Sequence, residues 1–196
     1  GCTIGHNTLP WAETYPDAQV TAIDVAAPVL RYAHARAESM GVPVDFRQMN
    51  ATAMDFEDEQ FDVVFSSMFM HELPLKHIHQ YLKEAFRLLK PGGVLWQMEL
   101  PPMNAMPLYE NFYMNWDTHY NNEPYYGTFR KQDYRQLLMD AGFDDEHFVE
   151  ATMPRYTFIG EQAFSEAIGG DNTFDTLTGR MDPKGTKWYG FGAWKA

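Results

Sequence analysis

From Gly5 to about residue 100, short apolar runs alternate with longer stretches whose apolar positions recur every three or four residues. Val20-Thr21-Ala22-Ile23 is a short run ending at Asp24, and Val44–Gln48 is a second candidate strand. Phe61-Asp62-Val63-Val64-Phe65-Ser66 is the clearest buried strand, and Val94–Met98 is a fourth. Between them lie helical patterns. Residues after Gly5 read as a helix to about Tyr15. Pro28–Met40 has a proline suited to a first turn and a stop at Gly41. Leu75–Lys90 places Ile78, Leu82, Ala85, Phe86 and Leu89 on one face and stops at Pro91-Gly92-Gly93. Alternation of this kind predicts βαβ units, and so a parallel sheet with helices on both faces.

The second half changes character. Pro101–Gly127 is rich in Pro, Asn, Tyr and Met, with weak periodicity. Phe129–Ala141 reads as a helix ending at Gly142, and Phe148–Met153 and Trp188–Trp194 as late strands. Gly160–Lys187 is a glycine-rich excursion with a short helix expected near Gln162–Ala167. Tyr109, Phe112, Tyr113, Trp116 and Tyr120 have helix-like spacing, which usually marks a core face. The predicted architecture is a Rossmann-like, doubly wound, mostly parallel α/β sheet with a helical, aromatic lid insertion. The 196 residues suit one domain, with a ligand-binding core over 1–100 and a specificity part over 101–196.

Composition narrows the partners. Apolar residues make up 45% of the chain, so it is globular. Twenty-seven acidic against 15 basic residues give a formal charge of −12. A surface so negative repels phosphate backbones and anionic lipid, which argues against nucleic acid and membrane surfaces as partners. No apolar run approaches the roughly 20 residues of a membrane span. The single Cys2 cannot form an internal disulfide, which is compatible with the cytoplasm.

The chemistry collects where the strands end. An open parallel sheet binds ligands beyond the carboxyl ends of its strands. Four segments meet that rule: the turn Gly1-Cys2-Thr3-Ile4-Gly5, Asp24, Asn50-Ala51, and Ser66-Ser67. An acidic residue about 20 positions after a glycine turn is the usual partner of a ribose diol, because a carboxylate accepts from two hydroxyls. A dinucleotide turn is G-x-G-x-x-G, and here the second and third glycine positions hold Thr3 and His6. A nucleoside cofactor without phosphates, S-adenosylmethionine, fits better, since its amino acid tail needs a turn and polar backbone rather than an anion nest.

Taken in order, these motifs resemble the class I S-adenosylmethionine-dependent methyltransferases of the small-molecule type with a ubiquinone-pathway-like core. The matching residues are Gly1–Gly5, Ala22-Ile23-Asp24-Val25, Asn50-Ala51, Phe56-Glu57-Asp58, Phe61-Asp62 and Leu88-Leu89-Lys90-Pro91-Gly92-Gly93. Ala141-Gly142-Phe143 adds a weaker match. The resemblance implies that Gly1, Cys2, Thr3 and Gly5 line the methionine moiety and that Asp24 binds the ribose hydroxyls. Val25 would flank the adenine, Asn50 and Ala51 would meet its edge, and Ser66 would offer its carbonyl to the cofactor's amino group. It implies a small-molecule acceptor, aromatic or lipidic, walled by Tyr109, Tyr113, Trp116, His119 and Tyr120. Thr3 replaces the family's middle glycine and Asn50 its usual Asp. The family's first strand, before the turn, is expected to be missing. Val20–Ile23 and Phe61–Ser66 would then stand about 10 Å apart, twice the ordinary strand spacing.

Bland readings compete. Cys2 reads as a small filler rather than a nucleophile. His77 and His79 point to different faces of a helix, so no metal site is expected. His71-Glu72 follows the strand at Phe61–Ser66, and His71 is a candidate general base or a packed helix-entry histidine. Two rival functions remain open: a nucleotide-dependent oxidoreductase on the same fold, and a non-catalytic S-adenosylmethionine-binding scaffold.

Overall fold

The computed structural model describes residues 1–106, 108–154 and 187–196. They form two compact units, 1–57 and 58–196. The expected excursion Gly160–Lys187, with its helix near Gln162–Ala167, lies outside the described residues apart from Lys187 itself.

The first unit is built from α1 (Thr8–Thr14), β1 (Thr21–Asp24), α2 (Ala27–Met40) and β2 (Asp45–Gln48). β1 and β2 pair in parallel, with Thr21 opposite Asp45 and Asp24 opposite Gln48. The α2 crossover packs on both strands. Leu30, Ala33 and Ala37 form its buried face, beside Leu9, Ala12 and Ala22. Helix α2 ends as expected: Gly41 takes a left-handed φ of 68° and its N–H returns to Ala37 and Glu38.

The second unit holds β3 (Phe61–Ser67), α3 (Leu75–Leu88), β4 (Leu89–Glu99), α4 (Leu108–Tyr120), α5 (Tyr126–Arg130), α6 (Tyr134–Ala141), β5 (Phe148–Pro154) and β6 (Lys187–Trp194). Its sheet runs β3-β4-β6-β5, parallel between β3 and β4 and antiparallel thereafter. The stretches Val20–Ile23 and Phe61–Ser66 thus belong to different sheets. Gly192 is required in β6, because a Cβ there would come within 2.1 Å of the Leu95 carbonyl oxygen. Helix α6 packs on α3 and on β6. The core between them is aromatic: Phe129 stacks on Tyr134 at 4.7 Å and Tyr134 on Phe191 at 4.6 Å.

Two expectations and one alternative reading, the aromatic stripe as a core face, are corrected. Helix α3 stops at Leu88, because Leu89 turns extended and opens β4 opposite Phe61, so Pro91-Gly92-Gly93 lies inside a strand with a register shift. The helix expected over Phe129–Ala141 is two helices. Asp133 interrupts it by accepting the Gln136 N–H as an N-cap, which starts α6 afresh. The aromatic stripe does lie on one helix, α4, but it is no core face: Tyr109 is 75% exposed and Trp116 47%, with Phe112, Tyr113 and Tyr120 exposed as well.

Candidate functional site

In the first unit the sequence motifs form one backbone-anchored turn. The Gly1 and Cys2 nitrogens both donate to the Ile23 carbonyl at 2.9 Å, continuing the chain alongside the end of β1. Gly5 takes φ 78°, a conformation that favours glycine, and the Leu9 N–H closes on its carbonyl to lead into α1. Thr3 also sits at positive φ, 47°, which is costly for a residue with a Cβ. Its N–H donates to Asp24 Oδ2 at 2.9 Å, so the strain comes with a charge-assisted hydrogen bond. Burial pushes the Cys2 thiol above its ordinary pKa, which suits a filler and not a thiolate nucleophile.

Asp24 is 6% exposed. Oδ2 accepts from Thr3, and Oδ1 accepts the Ala26 N–H at 2.9 Å. A carboxylate oxygen has two acceptor directions, so each retains one. That remaining capacity fits a vicinal diol, the group S-adenosylmethionine would present through its ribose. Val25, next in the chain, is 64% exposed and offers an apolar surface to a ring. Asn50, expected to meet the adenine edge, has its side-chain acceptor already engaged. Its Oδ1 takes both the N–H and the hydroxyl of Thr52, at 2.9 and 3.0 Å. The amide nitrogen, a donor, is the part these bonds leave out. Ala51 is buried beside it.

In the second unit, Ser66, next to last in β3, lies opposite Gln97 of β4 and donates its hydroxyl to the Gln97 Oε1. Gln97 Nε2 in turn donates to the Tyr81 hydroxyl at 3.1 Å. Burial pushes Tyr81 up to about 12, so it remains a neutral phenol. The Ser66 side chain is thereby committed internally.

Beyond β3 the chain turns through Met68, at φ 51°, into a 3-10 turn over Met70–Glu72. Glu99, fully buried at the end of β4, holds this turn. Its Oε1 accepts the N–H groups of Phe69 and Met70 at 2.7 and 2.5 Å, and its Oε2 faces His71 Nδ1 at 2.6 Å. A carboxylate can only accept, so Nδ1 carries the proton and Nε2 is the free, basic nitrogen of the neutral ring. Nε2 lies 3.7 Å from a Glu72 carboxylate oxygen, and His71, Glu72 and Glu123 bring one ligand atom each within 4.8 Å of one another. The Tyr126 ring meets the imidazole edge-on at 5.2 Å. Burial lowers the His71 pKa, but the Glu99 hydrogen bond and the charges of Glu99, Glu72 and Glu123 outweigh it, and the net value is raised. The packing and catalytic readings of His71 therefore share one geometry.

The sequence reading did not single out Glu99 or Gln97. Their signal is faint: two polar residues alternating with Leu95 on the buried face of an apolar strand. The candidate acceptor residues Tyr109, Tyr113, Trp116, His119 and Tyr120 share α4, where the Trp116 and Tyr120 rings lie 4.5 Å apart. All five are exposed.

Parallel βαβ pairing in the first unit, a glycine turn answered by a buried Asp at a strand end, and a polar network at the ends of β3 and β4 define a cofactor-binding α/β protein. Residues 1–93 match a family model described as a methyltransferase domain. The chain is 36% identical over 104 residues to a ubiquinone/menaquinone biosynthesis C-methyltransferase of Bartonella henselae, covering 52% of this chain and 39% of that protein. It is 28% identical over 145 residues to phosphoethanolamine N-methyltransferase 1 of Arabidopsis thaliana, covering 74% of this chain and 28% of that one. A solved structure of an S-adenosylmethionine-dependent methyltransferase from Methanosarcina mazei shares the fold, with a TM-score of 0.63 at 23% identity over 100% of this chain and 89% of that one. The matched segment is that of a methyltransferase domain, and the fold is that of a solved S-adenosylmethionine-dependent methyltransferase. The chain spans well under half the length of the two curated relatives just described. Among the described residues no helix is long and apolar enough to cross a membrane.

Proposed function

We propose that this chain is a methyltransferase domain that moves the sulfonium methyl of S-adenosylmethionine to O, N or C of a small acceptor. The relatives' names include both a C- and an N-methyltransferase, so they leave the accepting atom open. The observation that carries the reading is Asp24, a buried carboxylate at a strand end whose two oxygens are oriented by backbone N–H groups and still have room to accept. When bound, the cofactor supplies a methyl group already activated by its positive sulfur. The protein's part is mainly positioning. Asp24 would hold the ribose diol, Gly1, Cys2, Thr3 and Gly5 the methionine end, Val25, Asn50 and Ala51 the adenine, and the Ser66 carbonyl the amino group. Residues 1–100 would thus serve the cofactor, and 101–196 the acceptor, with Tyr109, Tyr113, Trp116, His119 and Tyr120 as candidate walls.

His71 would act as the base on the acceptor. Glu99 holds the ring through Nδ1, Nε2 takes the acceptor's proton, and the resulting imidazolium is stabilised by the same carboxylate. Titration calorimetry with S-adenosylhomocysteine tests the core of the proposal. Binding by the chain, lost in Asp24→Ala, is expected; equal affinity of the two proteins would sink the assignment. Turnover that persists in a chelator is expected if Nε2 receives a proton rather than a metal ion.

A further inference from the structure

Arg130, the last residue of α5, is 1% exposed, and no carboxylate forms an ion pair with it among the described residues. Its partners are neutral. Nε donates to the Pro101 carbonyl at 3.0 Å, and Nη2 to Asn111 Oδ1 at 2.6 Å and to the Met106 sulfur at 3.0 Å. Nη1 is buried with no hydrogen-bond partner among the described residues. This is unusual on two counts. A guanidinium does not give up its proton in proteins, so the charge stays, and a buried charge without a counter-ion costs several kcal/mol. Acids also outnumber bases 27 to 15 in this chain, and surface arginines find them: Arg87 pairs with Glu84 and Asp58, Arg135 with Asp145. Burial holds Arg130 below its ordinary pKa, opposed only by Tyr134 and Tyr126, as expected of a cation without an acid beside it.

We propose that Arg130 is the receptor for a carboxylate on the methyl acceptor. The proposal rests on the methyltransferase reading and deepens it by naming the acceptor class, a small carboxylic acid. Two of the guanidinium nitrogens are pinned by Pro101, Asn111 and Met106, so the third is oriented before any ligand arrives. A carboxylate, with a single negative charge, neutralises the guanidinium; a phosphate dianion would leave a second charge buried. The position also relates to the proposed base. Tyr126, one turn before Arg130 on α5, packs its ring against His71. A carboxylate at Arg130 would therefore orient an acceptor in the neighbourhood of His71.

The test is thermal unfolding of the chain in sodium benzoate against sodium chloride of equal ionic strength, with S-adenosylhomocysteine binding measured separately. Benzoate about 100-fold above its Kd is expected to raise the midpoint by roughly 5 °C over chloride. Arg130→Gln is expected to weaken benzoate about 10- to 100-fold while leaving S-adenosylhomocysteine affinity unchanged. Arg130→Met checks that loss of benzoate binding is not loss of fold. Removal of an uncompensated buried charge is expected to leave the midpoint in chloride equal or higher, whereas a fall of several degrees would mean Arg130 is a structural strut and would overturn the proposal. So would a benzoate shift that survives in Arg130→Gln, no shift in the wild type, or a shift with inorganic phosphate but not benzoate. Failure of S-adenosylhomocysteine to bind while benzoate does would instead count against the cofactor reading alone.

Discussion

Asp24 and Glu99 are the same kind of object in two different units. Each is a buried carboxylate at the carboxyl end of a strand, and each accepts two backbone N–H groups. They differ in how the bonds are shared. Asp24 takes one N–H on each oxygen and keeps an acceptor direction on both, which leaves it able to bind something else. Glu99 takes both N–H groups on Oε1 and gives Oε2 to His71. Three of its four acceptor directions are used by the protein itself, against two of four in Asp24. The first arrangement suits the ligand-binding role proposed for Asp24, the second a group that positions its neighbours. Residue type and burial do not separate them; the partition of hydrogen bonds does.

The largest effect should come from the Glu99 side of that contrast. His71→Ala is expected to reduce turnover about 10²- to 10⁴-fold with S-adenosylhomocysteine affinity unchanged; equal reduction of binding and turnover would blur the distinction. Glu99→Gln keeps the shape but loses the charge, and the acid limb of the turnover profile should move. In the wild type that limb lies above 6.5, because the His71 value is raised; in Glu99→Gln it should shift to lower pH. An unmoved limb would leave Glu99 purely structural.

Next comes Asp24→Ala, expected to weaken S-adenosylhomocysteine about 100-fold by calorimetry, as two charge-assisted hydrogen bonds are lost. Turnover at saturating cofactor should fall far less than in His71→Ala. The same pair predicts a stability trend. Because the His71 value is raised on folding, its contribution is complete below 6.5 and declines as pH rises through the folded value. Urea midpoints of the wild type should fall across that window, and those of His71→Ala should not. The smallest effect is at Thr3. Thr3→Gly removes a positive-φ strain and is expected to stabilise the chain by about 1 kcal/mol in urea unfolding while keeping the N–H that serves Asp24.

Legibility follows the same division. The first unit could be read because its signals are local. Gly5 needs its turn, Gly41 its left-handed cap, and Asp24 its place at a strand end a fixed distance from the turn. The helix α3 pattern was also local, though its last two residues went to β4, where pairing with Phe61 outweighs helical continuation. The second unit hid its chemistry because its partners are remote. Glu99 meets His71 across 28 positions, and Arg130 meets Pro101 across 29. A glutamate at the end of an apolar strand and an arginine at the end of a short helix look ordinary until the fold brings their neighbours together. The stripe on α4 was legible as a helix face, but not as an exposed one, since periodicity gives the face and says nothing of what covers it.

The sequence alone therefore determined the βαβ order, the glycine turn with Asp24, and the family resemblance, because these depend on spacing along the chain. Only the tertiary structure decided that Asn50 spends its acceptor on Thr52, that His71 is held by Glu99, and that Arg130 is buried with no acid paired to it among the described residues. Those facts are properties of desolvated groups and of who reaches them. Desolvation is set by packing between elements far apart in the chain, and it is what turns an ordinary side chain into one with a task.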